Sequence, residues 1–295
     1  MSLHKARLKY ASVWMAVVVA VSLVQSAAVE AAGGTPDTDL APVETYQTAR
    51  TQDTQKAGRW RLTFQDVFTT RGLDRGKWSY RALGDRQRDS DRLCSESSRK
   101  SVRVPGDGYV YLRIHRIPRR HKEFGPRRCP DGEWYNANIG TQGKYAFRYG
   151  KMAMRAKFQH QRGQHGAFWS QPDSRRRGGA EIDVVEYFGD GYPKGGLGHY
   201  AYCKGVKRGG IIDSRDLIPP RKTWSNSFHV FSVRWTPSRY IFQIDGHPVW
   251  RLSRCVSRVR QYLILSLLTS GWELPQLDAS NLNAMKVDWV RVWQR

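Results

Sequence analysis

Between Trp60 and Arg295 the chain alternates apolar and polar residues in short runs rich in Val, Ile, Phe, Tyr and Trp, and Gly, Asp and Pro interrupt these runs at short intervals. Alternation with period two puts successive side chains on opposite faces, so it predicts half-buried β-strands. The clearest are Tyr109–Ile114, Lys151–Phe158, Phe228–Trp235, Tyr240–Ile244 and Val287–Trp293. Asp245-Gly246, lying between Ile244 and Pro248-Val249-Trp250, predicts a hairpin, because a tight turn needs positive φ and this pair adopts it at low cost. Helical periodicity is weak, and only Ser253–Leu268 reads equally well as helix or strand. This density of short strands predicts one all-β domain over residues 59–295, a β-sandwich or jelly roll.

The N-terminal residues follow a different pattern. Lys5, Arg7 and Lys9 precede an apolar run from Ala11 to Val24, which is shorter than the roughly 20 residues a membrane span needs. Small residues follow at Ser26-Ala27-Ala28, so residues 1–28 read as an export signal. Residues 29–58 are rich in Thr, Asp, Pro, Gln and Ala without aliphatic periodicity, and predict a disordered leader or linker. The whole chain has 49 Lys and Arg against 26 Asp and Glu, a formal charge of +23. Removing residues 1–28 takes away three positive charges and no negative one, so the basicity belongs to the exported, extracellular protein. A hydrophobic content of 40% with 12% aromatics excludes a disordered or fibrous chain.

Chemistry concentrates in Glu181-Ile182-Asp183-Val184-Val185-Glu186. On a strand Glu181 and Asp183 share a face, and Glu186 is out of phase by one. A β-bulge at Val184-Val185 would return Glu186 to that face. Three carboxylates crowded on one strand raise at least one pKa, and a reaction needing one ionised and one protonated carboxyl, such as glycoside hydrolysis, requires that. A separation of about 5–5.5 Å between the two Glu carboxyls suits retention, and about 6.5–9.5 Å suits inversion. The same acids also fit an acidic surface strand or a calcium site. Trp169, Tyr187 and Phe188 lie near enough in sequence to form a sugar platform.

The signature resembles that of glycoside hydrolase family 16, in its laminarinase-like, bulged E-x-D-x-x-E form. Flanking blocks agree: Phe64-Gln65-Asp66-Val67-Phe68 with Leu73-Asp74 and Trp78, Ile139-Gly140-Thr141-Gln142-Gly143-Lys144-Tyr145 with Tyr149-Gly150-Lys151, Gly166-Ala167-Phe168-Trp169, and Phe228-His229 with Trp235-Thr236-Pro237. The terminal Val287–Trp293 is similar to the family's last strand. The resemblance implies a concanavalin A-like β-jelly roll with a concave substrate cleft. It also implies endo-acting, retaining hydrolysis of β-glucans or galactans, with β-1,3 or β-1,3/1,4 glucan favoured by the bulged signature. Carried over by position, Glu181 is the nucleophile, Glu186 the general acid/base, and Asp183 the residue that modulates the nucleophile. Trp134 and Tyr135 precede the block at Ile139, and the resemblance puts Trp169, His199 and Trp272 at cleft walls; all five are candidates for substrate binding, with sandwich core the other reading of each Trp and a hydrogen-bonded structural role that of His199. No cofactor is required, a structural calcium is allowed, and no catalytic metal is expected, since His160 and His165 have no third ligand in view.

The chain also departs from the family. Ala153 stands where many members have Glu, His165-Gly166 stands where Trp-Pro often precedes Ala-Phe-Trp, and Ser170-Gln171-Pro172 with Arg175-Arg176-Arg177 follow Trp169. These changes leave the carboxylates intact and put specificity in doubt. Two readings therefore stand beside the glucanase: a hydrolase of an anionic or sulfated galactan, and a lectin-like binding module without catalysis. Cys94, Cys129, Cys203 and Cys255 in an exported chain predict two disulfides. Of three pairings, Cys94 with Cys129 and Cys203 with Cys255 keeps each bridge within one half of the chain. The basic run Arg113–Arg128 reads as a solvated loop or as a site for anionic cell-wall polymers. The expected partner is otherwise a polysaccharide substrate, with no nucleic acid, no membrane span after signal cleavage, and a monomeric state.

Overall fold

In the computed structural model the described residues are 59–84, 94–118, 129, 132–174, 178–191, 196–212 and 224–295. The expected signal segment, the leader, residues 119–128 of the basic run, and Arg175-Arg176-Arg177 lie outside them. In chain order the strands are β1 (Arg61–Asp66), β2 (Ser79–Tyr80), β3 (Ser95–Ser97), β4 (Val102–Arg103), β5 (Val110–Leu112), β6 (His115–Arg116), β7 (Trp134–Gly140), β8 (Gly150–Lys157), β9 (His165–Pro172), β10 (Glu181–Tyr187), β11 (Leu197–Cys203), β12 (Val206–Ile212), β13 (His229–Trp235), β14 (Tyr240–Ile244), β15 (His247–Leu252), β16 (Gln261–Leu268) and β17 (Met285–Gln294).

They form two sheets. One runs β15-β14-β13-β8-β17-β5-β4 with β1 also on β17. The other runs β12-β11-β10-β9-β16-β7-β2, with β3 and β6 also on β7. All these pairings are antiparallel except β3 with β7. The inner faces meet in one apolar core, to which Met152, Met154, Phe231, Val233, Phe242 and Val292 come from the first sheet and Ile139, Phe168, Ile182, Leu263 and Leu265 from the second. The architecture is thus the all-β jelly-roll sandwich that the alternation and the resemblance predict.

The ambiguous stretch Ser253–Leu268 resolves as strand over Gln261–Leu268, buried along its whole length. It lies between β9 and β7, and covering on both faces removes the polar alternation that would have marked it as strand. The expected hairpin is present, with φ of 49° at Asp245 and 83° at Gly246. Asp245 also accepts from the Val230 amide, which ties the turn to β13. Near the start of the domain, Asp66 is buried and accepts from the indole N–H of Trp78 at 2.7 Å and the Phe68 amide at 3.0 Å. A buried carboxylate so supplied with donors loses little on leaving water.

Cys94 bonds to Cys129 and Cys203 to Cys255, with Cα–Cα separations of 5.6 and 5.7 Å. The second bridge joins the end of β11 to the segment after β15, so it ties the two sheets together. Its span of 52 residues lowers the entropy of the unfolded chain by about 4 kcal/mol in the loop-closure picture. Replacing Cys203 and Cys255 together with Ser should lower the urea-unfolding free energy by about 2–4 kcal/mol. Dithiothreitol should then destabilise this variant less than the parent, and equal sensitivity of the two proteins would contradict the stabilising role of this bridge.

Candidate active site

Residues 181–187 form β10, and its register slips by one residue in the middle. Against β9, Asp183 pairs with Trp169 and Val185 with Phe168; against β11, Asp183 pairs with Tyr200 and Glu186 with Gly198. This bulge keeps Val184 and Val185 both buried in the core and brings Glu186 onto the outer face shared by Glu181 and Asp183. Glu181 and Glu186 are half-buried, whereas Asp183 between them is 3% exposed.

The neighbouring strands build the surroundings of these acids. On β9 the outer residues are Ala167, Trp169 and Gln171; on β11 they are Gly198, Tyr200 and Tyr202. Trp169 and Tyr200 flank Asp183 directly. A Cβ at Gly198 would stand 2.5 Å from the Tyr200 ring, so glycine there leaves the ring its place beside Glu186. Further out on β12, the Lys207 ammonium lies 3.9 Å from the Tyr200 ring centre. Burial first, then the charges of Glu186 and Glu181, push the Asp183 carboxyl well above its ordinary value, and Lys207 opposes this. The Tyr200 and Tyr202 hydroxyls are raised as well, by burial and then by the same acids.

Gln171 holds one end of the acid row. Its Nε2 donates to Glu181 Oε2 at 2.8 Å, while its Oε1 accepts from Arg81 at 2.9 Å and from the Tyr262 hydroxyl at 2.8 Å. Two donors on the oxygen fix which way the amide points. The Arg81 guanidinium in turn lies over the rings of Trp169 and Tyr262 at 5.4 and 5.3 Å, and the Trp169 indole N–H donates to Ser266 at 3.0 Å. At the Glu186 end, Phe188 packs on Trp272, whose side chain is 53% exposed. His165, on the same outer face, bonds Glu273 at 2.7 Å and packs on Phe188.

Of the residues expected to bind substrate, Trp169 and Trp272 therefore stand on the face of the carboxylates. The others do not. His199 is fully buried on the inner face of β11, where its Nδ1–H donates to the Val184 carbonyl and its ring lies 5.1 Å from that of Phe242. Burial lowers its pKa to about 4, against the smaller opposing effect of the Val184 bond, so it is a neutral core histidine that holds the bulge. Trp134 has the outward parity of Asn138 and Gly140 but is 2% exposed beneath the Arg116 guanidinium, and Tyr135 alternates to the inner side with Ala137 and Ile139. Both lie on β7, separated from β10 by β16 and β9. Tyr187, offered with Trp169 and Phe188 as a sugar platform, is buried against Phe158. Gln171, Tyr200, Tyr202, Lys207, Arg81 and Tyr262 escaped the sequence reading because their roles come from strand pairing, which leaves no local signal. Among the described residues no group of three His, Cys, Asp or Glu could hold a metal ion.

The sign of the Asp183 shift fixes a pH dependence. An acid whose pKa is raised by folding contributes its stability below the unfolded value near 4, and that contribution is lost as pH rises through the folded value. Asp183→Asn removes this titration. The melting temperature of the variant relative to the parent should rise between pH 4 and pH 7, as followed by circular dichroism; a flat difference would show that Asp183 is not held protonated.

The family model described as Glycosyl hydrolases family 16 matches residues 98–291. A β-glucanase of Rhodothermus marinus is 29% identical over 208 residues, covering 66% of each chain. The glucan endo-1,3-β-glucosidase A1 of Niallia circulans is 25% identical over 291 residues, covering 88% of this chain and 41% of its own length. The chain thus spans two-thirds or less of these relatives. The crystal structure of the laminarinase from Rhodothermus marinus superposes with a TM-score of 0.64 at 23% identity, over 80% of this chain and 98% of that one. The match across residues 98–291 shows that this chain belongs to glycosyl hydrolase family 16.

Proposed function

We propose that the protein is a retaining endo-β-glucanase acting on β-1,3 or mixed β-1,3/1,4 glucan, and that its work is done outside the cell. The observation that carries this reading is the bulge that sets Glu181, Asp183 and Glu186 on one face between Trp169 and Tyr200. The glucan-degrading names of its relatives support the substrate class, and the two disulfides fit an oxidising compartment.

In this reading Glu181 attacks the anomeric carbon as a carboxylate while Glu186 protonates the departing glycosidic oxygen. A glycosyl ester on Glu181 results. Glu186, now ionised, takes a proton from water, and the water oxygen displaces Glu181 with a second inversion. Asp183, kept protonated by burial, has an O–H to offer a neighbouring carboxylate and adds no third charge to the row. The Gln171 amide steadies the charge on Glu181, and its fixed orientation prevents the amide oxygen from turning toward that carboxylate. Trp169 and the exposed Trp272 offer ring faces to the apolar faces of sugars on either side of the scissile bond.

The deciding experiment is reducing-sugar release from laminarin, lichenan, agarose and carrageenan. Release from the two glucans should fall roughly 10²–10⁴-fold in Glu186→Gln and at least as far in Glu181→Gln. Activity on the galactans alone would overturn the glucan assignment, and near-parental activity in either variant would overturn that residue's role. Hydrogen bonds to a charged group contribute about 1.5–3 kcal/mol, so Gln171→Leu should lower kcat about 10- to 100-fold. KM on the same glucan should change little, because Gln171 acts on the nucleophile; a loss confined to KM would place Gln171 in substrate binding instead.

A further inference from the structure

The outer face of the other sheet is built from charge of the opposite sign. On its three central strands, β13, β8 and β17, the charged residues are Lys151, Arg155, Lys157, Arg234, Lys286, Arg291 and a single acid, Asp288. Asp288 accepts from Arg155. Strand register sets these residues in rows: Trp293, Lys151 and Arg234 in one, Arg291, Ala153 and Ser232 in the next, Trp289, Arg155 and Val230 in the third. Neighbouring rows are about 7 Å apart and neighbouring strands about 4.8 Å, so each cation lies within a Debye length of several others.

The floor of this face is polar and closed. Ala153 and Ser232 are both 0% exposed. Among the described residues the Ser232 hydroxyl is buried without a hydrogen-bond partner, and so is Arg234 Nε. Such groups cost free energy in a native structure unless something supplies their bonds. Aromatic rings alternate with the cations: Arg291 lies 4.5 Å from the Trp289 ring centre, Lys151 5.8 Å from Trp293, Arg155 4.8 Å from Phe228, and Lys286 3.6 Å from Tyr109. These contacts attract each cation but carry no net charge, and the three strands supply one acid, Asp288, which pairs with Arg155. Burial alone lowers the Lys151 pKa.

We propose that this face binds an acidic polysaccharide, seating one carboxylate or sulfate over Ser232 between Lys151, Arg155 and Arg234, with the sugar rings lying along Trp289 and Trp293. An anion that parts the side chains over Ser232 would accept from its hydroxyl and from Arg234 and neutralise part of the cation cluster. A glycan fits better than nucleic acid. The rings lie partly beneath the cations and offer edges and partial faces, which suit sugar C–H groups, whereas base stacking needs open ring faces. This site is separate from the carboxylate row, since the whole core lies between the two outer faces.

Affinity electrophoresis of the full chain in gels containing polygalacturonate, dextran sulfate or laminarin tests it. The parent should be retarded by both acidic polymers, with retardation falling as salt rises. Lys151→Gln with Arg234→Gln should weaken binding to polygalacturonate about tenfold and leave release of sugar from soluble laminarin unchanged. Arg113→Gln with Arg116→Gln removes the same charge from another part of the surface and should change little; an equal loss in this control would mean that net charge alone drives binding. Ser232→Ala should melt no lower than the parent yet bind several-fold more weakly. Parental affinity in Ser232→Ala would remove the proposed anion seat, and tighter binding of single-stranded oligonucleotide than of polygalacturonate would overturn the assignment to a glycan.

Discussion

The site depends on one extra residue in β10. Without the slip between Asp183 and Glu186, strict alternation would turn Glu186 into the core and Val185 out to solvent. Burying an unpaired carboxylate is among the most costly substitutions a core can suffer, so the bulge and the acid are tied to each other. The bulge is held from behind by His199, whose N–H takes the Val184 carbonyl that the disrupted ladder would leave unmet. Gly209 allows β12 to close over this region, because a Cβ there would fall 2.0 Å from the His199 carbonyl oxygen at a backbone φ of 124°. The residues that fix the acids are therefore partly core residues that the substrate never touches.

Once three acids share a face, their environment must divide their labour. Asp183 is flanked on both sides by rings and buried, and that burial, with the charges of Glu186 and Glu181, holds its carboxyl well above its ordinary value. The two glutamates at the ends are half-exposed and have different neighbours: Glu181 takes the Gln171 amide and lies across from Tyr202, while Glu186 lies across from Gly198 and Ala167. That asymmetry is what a double displacement needs, since one carboxyl must stay charged and the other must exchange its proton with the leaving group and water.

Much of this was legible in the sequence, and the failures have a common cause. Period-two runs marked the strands, the Asp245-Gly246 turn marked a hairpin, and the spacing of Glu181, Asp183 and Glu186 demanded a bulge. Alternation tells which residues share a face but not which face looks inward, and His199 and Tyr187 were both assigned to the wrong one. Trp134 has the parity of the outer face but is covered, with the Arg116 guanidinium over its ring, and no local pattern announces that cover. The Gln171 contacts join β9 to β16 and to Arg81, which follows β2, over sequence separations of about ninety residues, and no local pattern encodes them.

The high positive charge acquires a direction from the sandwich. The acids occupy one outer face with Lys207 at their border, while six cations and one acid occupy the central strands of the other, with the apolar core between. A neutral glucan meets no electrostatic barrier at the carboxylate face. A polyanion is repelled by the acids there and drawn to the opposite side, at ranges set by the screening length of the medium. Any acidic matrix that the protein adheres to would thus hold it by the basic face and leave the carboxylate row turned outward, so that adhesion and hydrolysis do not compete for the same surface. The separation follows from a sheet's period of two: each strand gives one set of side chains to the core and the other to its own outer face, and the two outer faces of a sandwich can be charged independently.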